Sequence, residues 1–237
     1  MLGIWLLVGC SALPPATPIP TYQPIRIAYP PCLRPLKEIL ARCVSNYPEI
    51  ALYPNEVSSE SFSLDQVDLT FRLGATLEGA YAAQIGWEAL VVIVHRTNSI
   101  ERLSTDDLQA IYTGRKQRWE NGESITVWSY PDGDETRPIW DAVVLASGHL
   151  PPETRLAPDP QAMLDVIAAD PQAIGYVPQS WLSSVTQVRQ LPIDEKLAEK
   201  LRQSVLSLSL AEPQGGARTL LLCLQQAYSE GQSESGR

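Results

Sequence analysis

ALVVIVHRTNSIERLSTDDLQAIYTG, residues 89–114, is the stretch whose reading decides the fold. It divides into an apolar run, a polar loop and a capped helix. Leu90 to Val94 is five residues long and rich in β-branched side chains. It is apolar on both faces, the composition of a strand buried on both sides of a sheet. Ser104 with Asp107 three residues on makes a capping-box-like helix start, and the acids Asp106 and Asp107 suit the positive end of a helix. Leu103, Leu108, Ile111 and Tyr112 then recur at helical spacing, and Gly114 is a natural stop.

Working outward, Ile25–Tyr29, Ile50–Tyr53 and Val67–Phe71 read as strands, with Pro54 expected to close the second. Leu36, Ile39, Leu40, Cys43 and Val44 give an amphipathic helix between the first two, and residues 57–66 are polar and serine-rich. On the other side, Ile125–Tyr130 and Ala173–Val177 are strands. Between them, Ile139, Trp140, Val143 and Val144 form one helix face, with Thr136 as its cap and Pro138 in its first turn. Pro160–Ala169 is a second helix there. Gln179–Ser183 is a short helix, Val185–Ile193 and Val205–Leu210 are strands, and Ala217–Tyr228 closes the chain as an amphipathic helix. A β-α-β order followed by returning strands predicts an α/β fold with mostly parallel sheets.

Composition narrows the function. A net charge of −9 excludes a phosphate-neutralising nucleic-acid surface, yet leaves room for a small anion held locally by backbone N–H groups. No G-x-S-x-G, P-loop, H-E-x-x-H or G-x-G-x-x-G is present, and the chain is expected not to be an enzyme. With His95 and His149 the only histidines and no C-x-x-C, neither a metal nor a cofactor is expected. Cys32 and Cys43 flank one helix, roughly 16 Å apart by helical rise, too far for a disulfide. A pairing of either one with Cys223 stays open, and a buried thiol is the plainer alternative. Leu2–Val8 is apolar but too short to span a bilayer.

The order of apolar strand, Asn98-x-Ile100, Leu103-Ser104, Ile111-Tyr112-Thr113-Gly114-Arg115 and Trp119, with Ala173-Ile174-Gly175-Tyr176-Val177-Pro178 downstream, resembles the PstS-like phosphate-binding proteins. The resemblance covers residues 25–230 and implies a type II periplasmic-binding-protein fold. Two α/β lobes, 25–90 with 200–230 and 91–199, would be joined by a two-strand hinge, with 231–237 a polar tail. It further implies an extracytoplasmic solute receptor, monomeric, that closes on phosphate or another oxyanion and delivers it to ABC permease subunits. Leu7-Val8-Gly9-Cys10 in turn resembles a bacterial lipoprotein signal, with residues 1–10 as signal, lipid on Cys10 and 11–24 as a Pro-rich tether to the membrane. A cleaved or retained hydrophobic N-terminus is the alternative.

The resemblance places ligand contacts at Arg72, Ser58, Ser59, Tyr130, Gly133, Thr136, Gly175 and Tyr176. Arg72 ends a strand at the expected cleft, with an exposed ion-paired arginine as the alternative. Ser58 and Ser59 would supply donors, or belong to a solvated loop. Gly175 would allow close backbone approach, or serve packing. Two departures stand out. The family's Ser- or Thr-bearing first turn is Tyr29-Pro30-Pro31-Cys32, whose prolines carry no N–H. Its Arg-x-x-Gly-Ser-Gly-Thr turn becomes Tyr130 to Thr136 with Asp134 for Ser and Glu135 for the second Gly. Those acids read as helix-start charges that occupy the place an anion would want, and Arg137 offsets only part of their charge.

Overall fold

A computed structural model of the chain describes residues 22–58, 61, 63–182 and 187–235. Cys10, the signal over 1–10, most of the tether and Ser59 fall outside the described residues. The elements run β1 (Gln23–Tyr29), α1 (Leu36–Ser45), β2 (Ile50–Glu56), β3 (Leu69–Leu73), β4 (Tyr81–His95), α2 (Thr105–Tyr112), β5 (Thr126–Ser129) and α3 (Arg137–Trp140). There follow β6 (Arg155–Leu156), α4 (Pro160–Ala169), β7 (Ala173–Pro178), β8 (Val188–Gln190), α5 (Glu195–Lys200), β9 (Arg202–Ser209) and α6 (Gly215–Ser235). A 3-10 turn at Pro31–Leu33 precedes α1, and a π-helical segment, Asp141–Leu145, continues α3.

The strand path is β2-β1-β3-β9-β4-β7-β5-β6, with β8 also on β4. Parallel pairing is confined to the outer parts, β2-β1-β3 and β7-β5-β6, while everything touching β4 or β9 is antiparallel. The 15-residue β4 joins the two lobes. Tyr81–Ala89 pairs with β9 in one sheet, and Leu90–Val94 pairs with β7 in the other. Only that second half is apolar on both faces. In the first half only Ile85 and Glu88 are buried while Tyr81 and Trp87 are exposed, so an apolar-run criterion finds five residues of the strand and misses ten. At its bulge between Gln84 and Gly86 a Cβ on Gly86 would lie 2.3 Å from the Tyr228 ring of α6, so only glycine admits this packing.

The helix start at α2 forms as its letters dictate. The Ser104 hydroxyl accepts from the Asp107 N–H at 3.1 Å, and Leu108, Ile111 and Tyr112 turn inward. Gly114 follows at φ +75°, the left-handed region that lets the chain leave the helix. Asn98 earns its place in the preceding loop by accepting from the Ile100 N–H and donating to the Pro171 carbonyl. One expectation fails: Pro54 does not end β2, which continues to Glu56. β2 is an edge strand, where a residue without an N–H is tolerated.

In the first lobe α1 and α6 are joined by a Cys43–Cys223 disulfide, with Cα atoms 5.8 Å apart. Cys32 stays free and buried. Closing a loop of 180 residues of sequence separation stabilises the fold by about 5 kcal/mol on loop-entropy grounds. The second lobe packs around aromatic rings. Trp140 stacks on Tyr176 at 3.8 Å between centroids, and Tyr112 meets Trp140 edge-on at 4.9 Å. Among the described residues no helix is long and apolar enough to cross a membrane.

Candidate functional site between the lobes

The end of β3 with the residues after it in the first lobe, and residues that follow β5 in the second, line one open cleft of about 600 Å³. Strand ends converging on a crevice are the usual ligand location in α/β sheets. From the first lobe come Arg72 to Ala75 and Gln203; from the second, Asp132 to Glu135, Arg137 to Ile139 and Asp141 to Val143. Arg72 is held at the rim because its neighbours on β3, Phe71 and Leu73, are buried in the core and successive side chains point to opposite faces.

The turn after β5 fixes the facing wall. Asp134 accepts from both the N–H and the hydroxyl of Thr136, and so satisfies backbone at the start of α3. Thr136 itself makes no side-chain cap. Burial raises the Asp134 carboxyl above its ordinary range, a shift the Thr136 bonds oppose and the charge of Glu135 reinforces. Glu135 does not stay at the helix. Its carboxylate crosses the cleft to accept from Arg72 Nε through both oxygens, at 2.7 and 3.0 Å, and from the Leu73 N–H at 3.0 Å. The Glu135 side chain is 1% exposed and that of Arg72 11%, so this is a desolvated, charge-assisted contact between lobes. Arg137 lies beside it but is committed elsewhere: Nε donates to both Asp141 oxygens at 2.8 Å, and Nη1 to the Tyr130 carbonyl.

Further contacts join the lobes, among them the Ser180 N–H donating to Glu88 at 3.3 Å. Arg34 forms a fork on Glu56 at 2.8 and 2.7 Å and also reaches Asp159, the cap of α4, at 3.2 Å. Trp181, under that guanidinium at 5.1 Å, donates from its ring nitrogen to the Cys32 carbonyl at 2.9 Å. A recess of about 130 Å³ adjoins the main cleft, lined by Pro31, Ser58, Gly133 and Glu135 among others. Its proline side lacks donors as the sequence predicts, and the Leu33 N–H beyond it is returned to the Pro30 carbonyl at 3.0 Å.

The expected contact residues therefore separate into two groups. Arg72 and Gly133 line the cleft, and Ser58, hydrogen-bonded to Ser61, lines the recess. Tyr130, Tyr176 and Thr136 are fully buried. The Tyr130 hydroxyl donates to the Tyr176 carbonyl at 2.9 Å, and the Tyr176 hydroxyl meets Ser129 at 3.2 Å, so both rings are core scaffolding for the cleft wall. Gly175 faces α4: a Cβ there would lie 2.4 Å from Met163 Sδ, the packing alternative rather than approach to a ligand. The helix-start reading of Asp134 and Glu135 holds for the first and fails for the second. Glu135, Arg34 and Asp159 were missed as bridging residues, although Asp159-Pro160 is a legible cap-and-first-turn pair. Their partners lie far away in sequence, and nothing local announces them. Among the described residues no cluster able to hold a metal ion is present.

The geometry defines a two-lobed α/β fold with a cleft between the lobes. The family model described as the PBP superfamily domain matches residues 70–217, and the chain belongs to that family. A comparison with curated proteins returns no match. Among solved structures the chain is similar to a Clostridium perfringens protein described as a phosphate ABC transporter substrate-binding protein with bound phosphate. The TM-score is 0.74 at 15% identity, covering 85% of this chain and 93% of that one. It is also similar to an ABC-type phosphate transport receptor from Vibrio cholerae, with a TM-score of 0.65 at 15% identity and 90% and 98% of the two chains covered. A sulfate-bound OxyR2 regulatory domain from Vibrio vulnificus is similar too, with a TM-score of 0.66 at 12% identity and 91% and 99% covered. At such identities the likeness is one of fold.

Proposed function

We propose that this chain is the solute-binding component of an extracytoplasmic ABC-type import system, a binding protein rather than an enzyme. Its lobes, 25–90 with 200–230 and 91–199, would close on a small polar solute and present the closed form to permease subunits. The observation that carries this reading is a cleft lined from both lobes, by Arg72 to Ala75 on one side and by Asp132 to Glu135 and Arg137 to Ile139 on the other. The Cys43–Cys223 disulfide fits an oxidising, extracytoplasmic compartment. A monomer tethered through lipid on Cys10 completes the proposal.

Phosphate, or a related oxyanion, is the solute carried over from the resemblance and from what two of the similar structures are described as binding. A specific observation favours the second reading, in which the cleft serves a different polar solute or has left uptake for sensing or assembly. Asp132, Asp134, Glu135 and Asp141 face the cleft against Arg72 and Arg137. A carboxylate about 4 Å from a bound anion costs about 4 kcal/mol at an effective dielectric of about 20. Calorimetric titration of the purified protein at pH 7 with phosphate, and with sulfate and molybdate for comparison, decides between the two. Micromolar binding abolished by Arg72→Ala establishes the phosphate receptor. Absence of heat with all three, on folded protein, removes the oxyanion and moves the function to another solute or to none.

A further inference from the structure

We propose that Glu135 is an internal ligand: its carboxylate fills the anion position formed by Arg72 and the Leu73 N–H, and holds the two lobes closed without any free solute. The proposal rests on the second reading above, in which the cleft does not take up a free oxyanion, and it deepens that reading by naming what occupies the site. Three structural features carry it. The carboxylate makes the contacts an anion would make there, two to the Arg72 Nε and one to a main-chain N–H. It arrives from the opposite lobe, so the contact exists only when the lobes meet. It is also not needed at home, because Asp134 already satisfies the Thr136 N–H at the start of α3.

Closure is supported at a second point, where Arg34 of the first lobe reaches Asp159 of the second at 3.2 Å. A free anion must compete with a carboxylate whose effective concentration is set by geometry and not by supply. The same geometry defines what the site takes when Glu135 is absent: a small oxyanion, from a lone carboxylate such as acetate to a tetrahedral phosphate, gripped by Arg72 and the Leu73 N–H.

The experiment combines small-angle X-ray scattering with phosphate and acetate titrations, on the purified protein and on Glu135→Ala and Arg72→Ala/Glu135→Ala. The wild type is expected to be compact without solute and unchanged by either anion. Glu135→Ala should be expanded, become compact on adding phosphate or acetate, and bind phosphate on the order of a thousandfold more tightly than the wild type. That is the factor by which a like charge about 4 Å away weakens binding at an effective dielectric of about 20. The double variant should lose this gain. A wild type that is expanded alone and closes on phosphate overturns the internal ligand while upholding the phosphate receptor. A folded Glu135→Ala that stays compact and takes up neither anion overturns it as well, and leaves solute binding by the wild type to be judged by its own titration. If Glu135→Ala does not fold, Glu135→Gln keeps the shape and the Leu73 bond without the charge. Compactness equal to wild type in Glu135→Gln would then sink the proposal.

Discussion

At the start of α2, Asp107 accepts from the Ser104 hydroxyl and from Lys116, both at 2.7 Å, with 43% of its side chain exposed. At the start of α3, the acids Asp134 and Glu135 stand in a similar local pattern, but Glu135 is 1% exposed and bound to an arginine 63 positions away. The first carboxylate works within nine positions of its own place and partly in solvent. The pair at α3 is divided between a local cap and a desolvated contact across two lobes. The difference teaches that an acid pair before a helix specifies the helix start but not the destination of each carboxylate. Burial and an opposing cation decide that.

The largest expected effect tests this division directly. Arg72→Ala strands the buried Glu135 carboxylate and should cost about 3–5 kcal/mol of unfolding free energy in urea titrations, whereas Lys116→Ala should cost no more than about 1 kcal/mol. Equal costs for the two would erase the distinction between the helix starts. Next in size are the caps. Ser104→Ala and Asp134→Ala should each lose about 1 kcal/mol, because each leaves a backbone N–H at its helix start without its acceptor. A negligible loss at Asp134 alone would show that α3 takes no stability from its cap.

The smallest effects are in pH and salt, and here the two sites should move in opposite directions. Lys116 and the Ser104 hydroxyl hold the Asp107 carboxyl below the ordinary value of 3.8. The stability it contributes is therefore present above pH 3.8 and lost as pH falls through the lowered folded value. Burial raises Asp134 above 3.8, so its contribution is complete below that pH and lost as pH rises through the raised folded value. Thermal melts from pH 3 to 7 should accordingly show Asp134→Asn gaining on the wild type with rising pH, and Asp107→Asn losing ground. A shared direction would contradict the opposite environments. Raising salt from about 0.1 to about 1 M should weaken the exposed Lys116–Asp107 pair and leave Arg72–Glu135 nearly untouched, since screening acts on solvated charges. Double-mutant cycles at both salt concentrations measure this.

Much of the fold was legible because it is written locally. The capping pair at Ser104 and Asp107, the apolar run after Leu90 and the helical stripe of α1 each occupy one short window. The first half of β4 was not, since its pattern is interrupted at the bulge by Gly86, whose reason is the Tyr228 ring 142 positions on. The candidate site was readable to the same extent. Arg72 falls at a strand end, and the acidic turn announces itself as a departure from an anion-binding pattern. The resemblance places Tyr130 and Tyr176 at the ligand, and in the sequence a tyrosine beside a cleft carries no mark distinguishing a donor from a core ring. Only the buried stack on Trp140, and hydroxyls satisfied within the wall, make that distinction.

The Cys43–Cys223 link has a mechanical meaning as well. It sits near the two ends of the described chain and ties the first long helix to the last. A pull applied between the termini runs through the sulfur bridge and bypasses everything between, including the whole second lobe and the cleft. The load path is short: it runs through residues 22–43 and 223–235, takes in Cys32 and Arg34 with their contacts to the second lobe, and leaves out the turn that carries Glu135.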